Sequence, residues 1–204
     1  MTAATVWTQA QRAERDYWCP TDADAWVMRR AAEQEQLALY AGLLGLTPDT
    51  VRGRSVLDLG CGPQGLLLTM APILRRGMAV DPLMFAGQDE ARYAAAGIAR
   101  VVEPAETFRA PNDERFDEVW CYNVLQHVMD PERVLETARM HADRVRVFEW
   151  LHVPASIVHP HVITAPLIRN LFTDWRETRR VEGTARAHGW SQQFLAVVFE
   201  RGAQ

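Results

Sequence analysis

The hydrophobic rhythm of the chain changes twice. Up to about residue 50, apolar residues recur at helical spacing among polar ones. Ala25 to Leu46 carries Trp26, Ala32, Leu39, Leu43 and Leu46 on one side, which predicts a helix with one buried face. Gly45-Leu46-Thr47-Pro48 is its stop signal, and a shorter helix is predicted from about Thr8 to Trp18. From residue 54 to about 150, short β-type runs alternate with helical stretches. Ser55–Leu59, Met78–Val80, Arg100–Glu103, Phe116–Cys121 and Arg144–Trp150 read as strands. Gly65–Arg76 and Phe85–Ala96 read as helices closed by Gly77 and Gly97. Asp130-Pro131 supplies an N-cap with proline at the first helical position, opening a helix to about Ala142. Beyond residue 150 the pattern loosens. Thr164-Ala165-Pro166 caps a short helix to about Phe172, and runs at Thr178–Ala185 and Phe194–Arg201 predict a hairpin that adds two edge strands.

Strand–helix alternation at this spacing predicts an α/β fold. The expected architecture is a Rossmann-like, seven-stranded, mostly parallel sheet with its last strand antiparallel and helices on both faces. Residues 1–50 would form an N-terminal helical cap or lid, and 51–204 the ligand-binding domain. With 48% apolar and 24% charged residues, the composition is that of a globular protein. No apolar run approaches the ~18 residues of a membrane span, so no membrane partner is expected. Met1–Trp7 shows no basic region followed by an apolar one, and Cys19, Cys61 and Cys121 form no CxxC pair. Free thiols in a reducing cytoplasm are the expectation, and a cytoplasmic location with it. The net charge of -4 leaves no electrostatic footprint for nucleic acid. All 22 basic residues are arginines, which excludes pyridoxal Schiff-base, lysine-aldolase and phosphate-loop-lysine chemistry.

The strongest local signal is Asp58-Leu59-Gly60-Cys61-Gly62-Pro63-Gln64-Gly65, between a predicted strand and a predicted helix. Glycines there permit a tight turn and close approach of a ligand to the backbone. Asp81, at the end of the next strand, can accept both hydroxyls of a ribose. A dinucleotide or S-adenosylmethionine satisfies this arrangement. Asp58 favours the second, since a carboxylate beside the loop repels a pyrophosphate but suits an ammonium and a sulfonium. Pro63 removes an N–H that a pyrophosphate would use.

Val56-Leu57-Asp58-Leu59-Gly60-Cys61-Gly62 resembles motif I of class I S-adenosylmethionine-dependent methyltransferases. Val80-Asp81-Pro82 resembles their acidic motif, and Ala105-Glu106 the segment that meets adenine. The run from Phe116 through Tyr122, Asn123 and His127 to Val128 resembles their fourth motif. The resemblance covers residues 54 to about 150. It implies S-adenosylmethionine as cofactor. Gly60, Cys61 and Gly62 would carry its amino-acid part, with Asp58 near the ammonium or serving only as a loop cap. Asp81 would take the ribose, and Pro82 and Leu83 would pack on adenine. Ala105 would lie beside adenine, and Glu106 would meet its amino group or remain a solvated loop acid. Tyr122 and Asn123 would face the methionine end.

The implied activity is methyl transfer to an oxygen or nitrogen atom of a small-molecule acceptor. Attack on another carbon of the sulfonium, such as cyclisation of the cofactor, and non-catalytic binding stay open. His127, after the fourth strand, and His152, after the fifth, are the candidate bases. Tyr17, Trp18, Trp150 and His159 are the candidate acceptor contacts. Trp7, Trp18 and Trp26 are lid aromatics or core packing, and Arg29 or Arg30 would meet the cofactor carboxylate or only solvent. Where quinone O-methyltransferases carry Glu-x-x-Glu-His and a divalent metal, this chain has Asn123 and Gln126 before His127, so no metal is expected. It lacks the Asn- or Asp-Pro-Pro-Tyr motif of base methylases, which with the net charge argues against a nucleic-acid substrate. The sequence leaves a homo-oligomer open.

Overall fold

The computed structural model describes residues 3–85, 87–187 and 190–202. Two helices, α1 (Ala3–Trp18) and α2 (Ala23–Leu44), precede the sheet, followed by the short α3 (Pro48–Val51). Asp22 accepts the Ala25 N–H at 2.7 Å to start α2, and Gly45, at φ 67°, ends it in the left-handed conformation. Then come β1 (Ser55–Leu59), α4 (Leu66–Met70), β2 (Arg76–Val80), α5 (Gly87–Ala95) and β3 (Ala99–Val101). The second half holds β4 (Glu118–Tyr122), α6 (Pro131–His141), β5 (Arg144–Trp150), α7 (Ala165–Asn170), β6 (Trp175–Ala187) and β7 (Trp190–Arg201).

The strands form one sheet in the order β3-β2-β1-β4-β5-β7-β6. β1 to β5 pair in parallel, and β7 runs antiparallel to both β5 and β6. This is the expected Rossmann-like sheet. The hairpin differs from expectation: only β6 is an edge strand, because β7 inserts between β5 and β6. Phe194–Phe199 is accordingly buried at every position, as a strand covered on both faces requires.

Alternate residues serve two cores. Leu57, Val119, Val147 and Val197 pack under α6 and α7, with Val134, Leu135, Ala138 and Ile168. On the other face, Val56, Trp120, Phe148 and Ala196 pack with Leu37, Tyr40 and Leu44 of α2 and Tyr93 of α5. Two local expectations change. The helix after the glycine loop stops at Met70 and passes through a single 3-10 turn at Ala71–Ile73, because Pro72 cannot continue it. The inward stripe of α2 is Arg30, Glu33, Leu37, Tyr40 and Leu44, so Ala32 is exposed and Leu39 and Leu43 are only partly covered. In the middle of the sheet, Arg146 of β5 ties the C-terminus of α2 to β4. It donates to the Leu44 carbonyl at 2.7 Å and to Glu118 at 2.7 and 3.1 Å. Among the described residues, no helix is long and apolar enough to cross a membrane.

Candidate active site

A cavity of about 500 Å³ opens at the C-terminal ends of the parallel strands, where open α/β sheets bind ligands. Its floor is Gly60, Cys61 and Gly62 after β1, and Asp81, Pro82 and Leu83 after β2. Tyr122, Asn123, Val124, Gln126, His127 and Val128 follow from β4, and Trp150, Val153, Val158 and His159 from the end of β5 and its loop. α1 contributes Gln11, Glu14, Tyr17 and Trp18; α2 contributes Glu33, Gln36, Leu37 and Tyr40; and Trp190 and Gln192 complete the wall.

The floor requires glycine. Gly60 has φ 72°, and a Cβ there would stand 2.4 Å from Val124 Cγ2. Asp81 is fixed by two backbone donors, Gly62 N–H at 3.1 Å to Oδ2 and Leu83 N–H at 2.9 Å to Oδ1. Burial pushes its carboxyl up to about 6, against the pull of Arg100 and the two N–H groups.

The segment after β4 is clamped at both ends by buried carboxylates. Glu149 Oε1 accepts the Val124 and Leu125 N–H groups, each at 2.7 Å, and Glu106 Oε1 accepts those of Met129 at 2.7 Å and Asp130 at 3.3 Å. Asn123 starts the segment in the left-handed conformation, at φ 55°, which asparagine tolerates. Between the clamps lies His127, with Nδ1 2.9 Å from Glu14 Oε1 of α1. Trp18 Nε1–H donates to the other oxygen of Glu14 at 2.9 Å, and the His159 ring packs edge-on to His127 with 4.7 Å between centroids. Burial alone would pull the His127 pKa down, but Glu14 outweighs it and the value is raised. Glu14 is the converse: burial pushes it up, His127 outweighs that, and it lies below its usual range.

Most of the residues expected from the sequence therefore surround one cavity: Gly60, Cys61, Gly62, Asp81, Pro82, Leu83, Tyr122, Asn123, His127, Tyr17, Trp18, Trp150 and His159. Four do not. Asp58 is fully buried beneath the loop, where Oδ2 accepts the Tyr122 hydroxyl at 2.7 Å. Tyr122 Oη in turn accepts the Leu66 N–H at 2.8 Å, so Asp58 holds the start of α4 rather than facing the cavity, and it cannot repel a ligand by contact. Ala105 is a core residue under α6, and Glu106 is the clamp just described. His152 is exposed and does not line the cavity, although Val153 beside it does; its backbone is in the left-handed region, at φ 58°. Arg30 is not solvated: it is buried and donates to Asp89 of α5 at 2.8 Å. Glu14, Glu33 and Trp190 are cavity residues that the sequence reading did not select. The available signal for Glu33 was a carboxylate in line with Leu37, Tyr40 and Leu44 on one helical stripe.

The family model described as "Methyltransferase domain" matches residues 28–201. The chain belongs to the methyltransferase domain family. This methyltransferase-family chain is 33% identical over 86 residues to a ubiquinone biosynthesis O-methyltransferase of Serratia proteamaculans, covering 40% of this chain and 35% of that one. It is 32% identical over 132 residues, 65% of this chain and 33% of the other, to a protein named N-acetyl-gamma-glutamyl-phosphate reductase from Methanothrix thermoacetophila. The matched region thus spans about a third of these curated relatives. Its fold is that of the N-methyltransferase NodS from Bradyrhizobium japonicum WM9, solved with S-adenosyl-l-homocysteine. The TM-score is 0.70 at 16% identity, over 96% of this chain and 99% of that one.

Proposed function

We propose that this protein transfers the methyl group of S-adenosylmethionine to an oxygen or nitrogen atom of a small acceptor molecule. The observation that carries the reading is the placement of the Glu14–His127 pair in the same cavity as the glycine floor and Asp81. Family membership supports the cofactor, and the residues present fit it: a glycine floor that a Cβ would block, and a carboxylate held rigidly beside it. S-adenosylmethionine supplies a methyl group on a positively charged sulfur.

The chain's own residues do the rest. Asp81 holds the ribose hydroxyls, Pro82 and Leu83 flank the adenine, and Gly60 and Gly62 let the amino-acid part lie against backbone. Tyr17, Trp18, Trp150 and His159 wall the acceptor and exclude water, which aligns the reacting atoms. Glu14 lies 2.9 Å from His127 Nδ1 and the Val158 backbone also meets the ring; in its neutral form His127 takes the proton from the acceptor O–H or N–H as it is methylated. α1 and α2 act as the cap over this chemistry. The cavity is sized for a cofactor and a small molecule, which favours a metabolite acceptor over nucleic acid.

Product analysis tests the reading. The protein is incubated with S-adenosylmethionine and a panel of phenols, catechols, N-heterocycles and amines, and the mixture is read by mass spectrometry. The expected products are S-adenosylhomocysteine and an acceptor heavier by one CH₂. Methylthioadenosine in their place would instead establish attack on another carbon of the sulfonium.

A further inference from the structure

α2 lies over the glycine floor and turns two charged residues inward, Arg30 and Glu33. Arg30 is held through one nitrogen, which donates to Asp89 at 2.8 Å and to the Trp18 carbonyl at 2.9 Å, while its Nε and other terminal nitrogen are buried without a hydrogen bond. Glu33 is matched only in part. Its Oε2 accepts the Gln64 amide at 3.2 Å and lies 3.7 Å from Arg30, whose closer carboxylate is Asp89. Its Oε1 stands at the glycine floor, 3.4 Å from the point where a Gly62 Cβ would be. The residue is only 9% exposed, and what it faces is the cavity. Burial pushes its carboxyl up to about 7, against the pull of Arg30 and Gln64. A carboxylate placed so is relieved by a cation arriving from the cavity side.

The other cavity carboxylates have partners. Glu14 is paired with His127, and Asp81 with two backbone N–H groups. Among the described lining residues there is no arginine. Asp58, the sequence candidate for the ammonium, does not line the cavity: its Oδ2 accepts from Tyr122, and its Oδ1 is buried beneath the loop without a hydrogen bond.

We infer that Glu33 receives the α-ammonium group of the cofactor, reaching down from the cap to its amino-acid end. The inference rests on S-adenosylmethionine being the cofactor. It makes cofactor binding depend on the cap helix as well as on the sheet, since the ammonium is then shared between α2 and the glycine floor.

Two ligands separate the parts of the claim. S-adenosylhomocysteine carries the ammonium; 5′-methylthioadenosine keeps the adenosine and the sulfur but lacks the amino-acid end. Calorimetric titration of both into wild type, Glu33→Gln and Glu33→Asp should show a selective loss. The expected result is about tenfold or greater weakening of S-adenosylhomocysteine in Glu33→Gln, as for a lost charge-assisted hydrogen bond. Methylthioadenosine should stay within about twofold, and Glu33→Asp should recover part of the loss. Gln is nearly isosteric, and thermal unfolding of each variant checks that it folds. Unchanged or tighter S-adenosylhomocysteine binding in Glu33→Gln overturns the inference. Equal weakening of both ligands also overturns it, by moving Glu33 to the adenosine. Failure of wild type to bind either ligand overturns the cofactor reading itself.

Discussion

Asp58 shows how a motif residue can be conspicuous without lining the cavity. Its carboxyl is pushed up to about 7 by burial, against a hydrogen bond from Tyr122. The folded state therefore holds that proton more tightly than the unfolded chain, whose value is near 3.8. Stability contributed by the site is full below about pH 4 and is lost as pH rises toward 7. Asp58→Asn keeps an oxygen for Tyr122 and removes the charge. Its thermal stability relative to wild type should improve from pH 5 to pH 8, by about 2 kcal/mol or more, with S-adenosylhomocysteine affinity unchanged. A relative stability that worsens with rising pH would mean that the carboxylate has a partner the structure does not contain. The two histidines chosen from the sequence now part company. His127→Ala should lower turnover about 10²-fold or more at neutral pH, with a smaller loss at high pH where the acceptor ionises unaided. His152→Ala, exposed and outside the cavity, should leave turnover near normal. Steady-state rates across pH check both, and equal rates in both variants would leave catalysis to orientation alone. Strand-end residues such as Gly60 and Asp81 were legible because they sit at fixed offsets in a local pattern. The Glu14–His127 pair was not, because nothing local to either residue announces a contact between α1 and the segment after β4.

At the scale of elements, that segment is the part of the site most dependent on buried polar groups. Glu149 and Glu106 satisfy four of its backbone N–H groups, and Val124 packs against Gly60 of the glycine floor. Glu149→Ala orphans two buried donors and should destabilise the fold by about 2–4 kcal/mol. Glu149→Gln retains an accepting oxygen and should cost less than about 1.5 kcal/mol. Denaturant unfolding of the two variants checks this, and equal losses would contradict the clamp. From sequence, Glu106 is an adenine contact by the family pattern or a solvated loop acid; that it turns inward onto Met129 and Asp130 is a tertiary fact. The strands β1 to β5 were legible from alternation with helices. β7 was misjudged although its signal was present, since the unbroken apolar run Phe194–Phe199 describes a strand buried on both faces. The inward stripe of α2 was misjudged because leucine and alanine occur all round that helix, and only tertiary packing selects the side carrying Glu33.

At the scale of the whole molecule, a cap and a sheet share one cavity. Glu14 and Glu33 descend from α1 and α2, while Asp81 and His127 rise from the strand ends. The Glu14–His127 pair is also a link between cap and core. The folded His127 pKa is raised, so the stability it contributes is full below the unfolded value near 6.5 and is lost as pH climbs through the folded one. Glu14→Gln should therefore cost about 1 kcal/mol at pH 6 and less at pH 9, read as the difference in thermal unfolding from wild type. A cost that grows with pH would contradict the pairing. The central claim is that this cavity is an S-adenosylmethionine site organised by Asp81. Calorimetric titration of S-adenosylhomocysteine into wild type and Asp81→Ala tests it most directly. Wild type should bind with micromolar affinity at one site per chain, and the variant should bind about 2 kcal/mol, roughly thirtyfold, more weakly. Absent binding to wild type, or equal affinity in a folded Asp81→Ala protein, would contradict it.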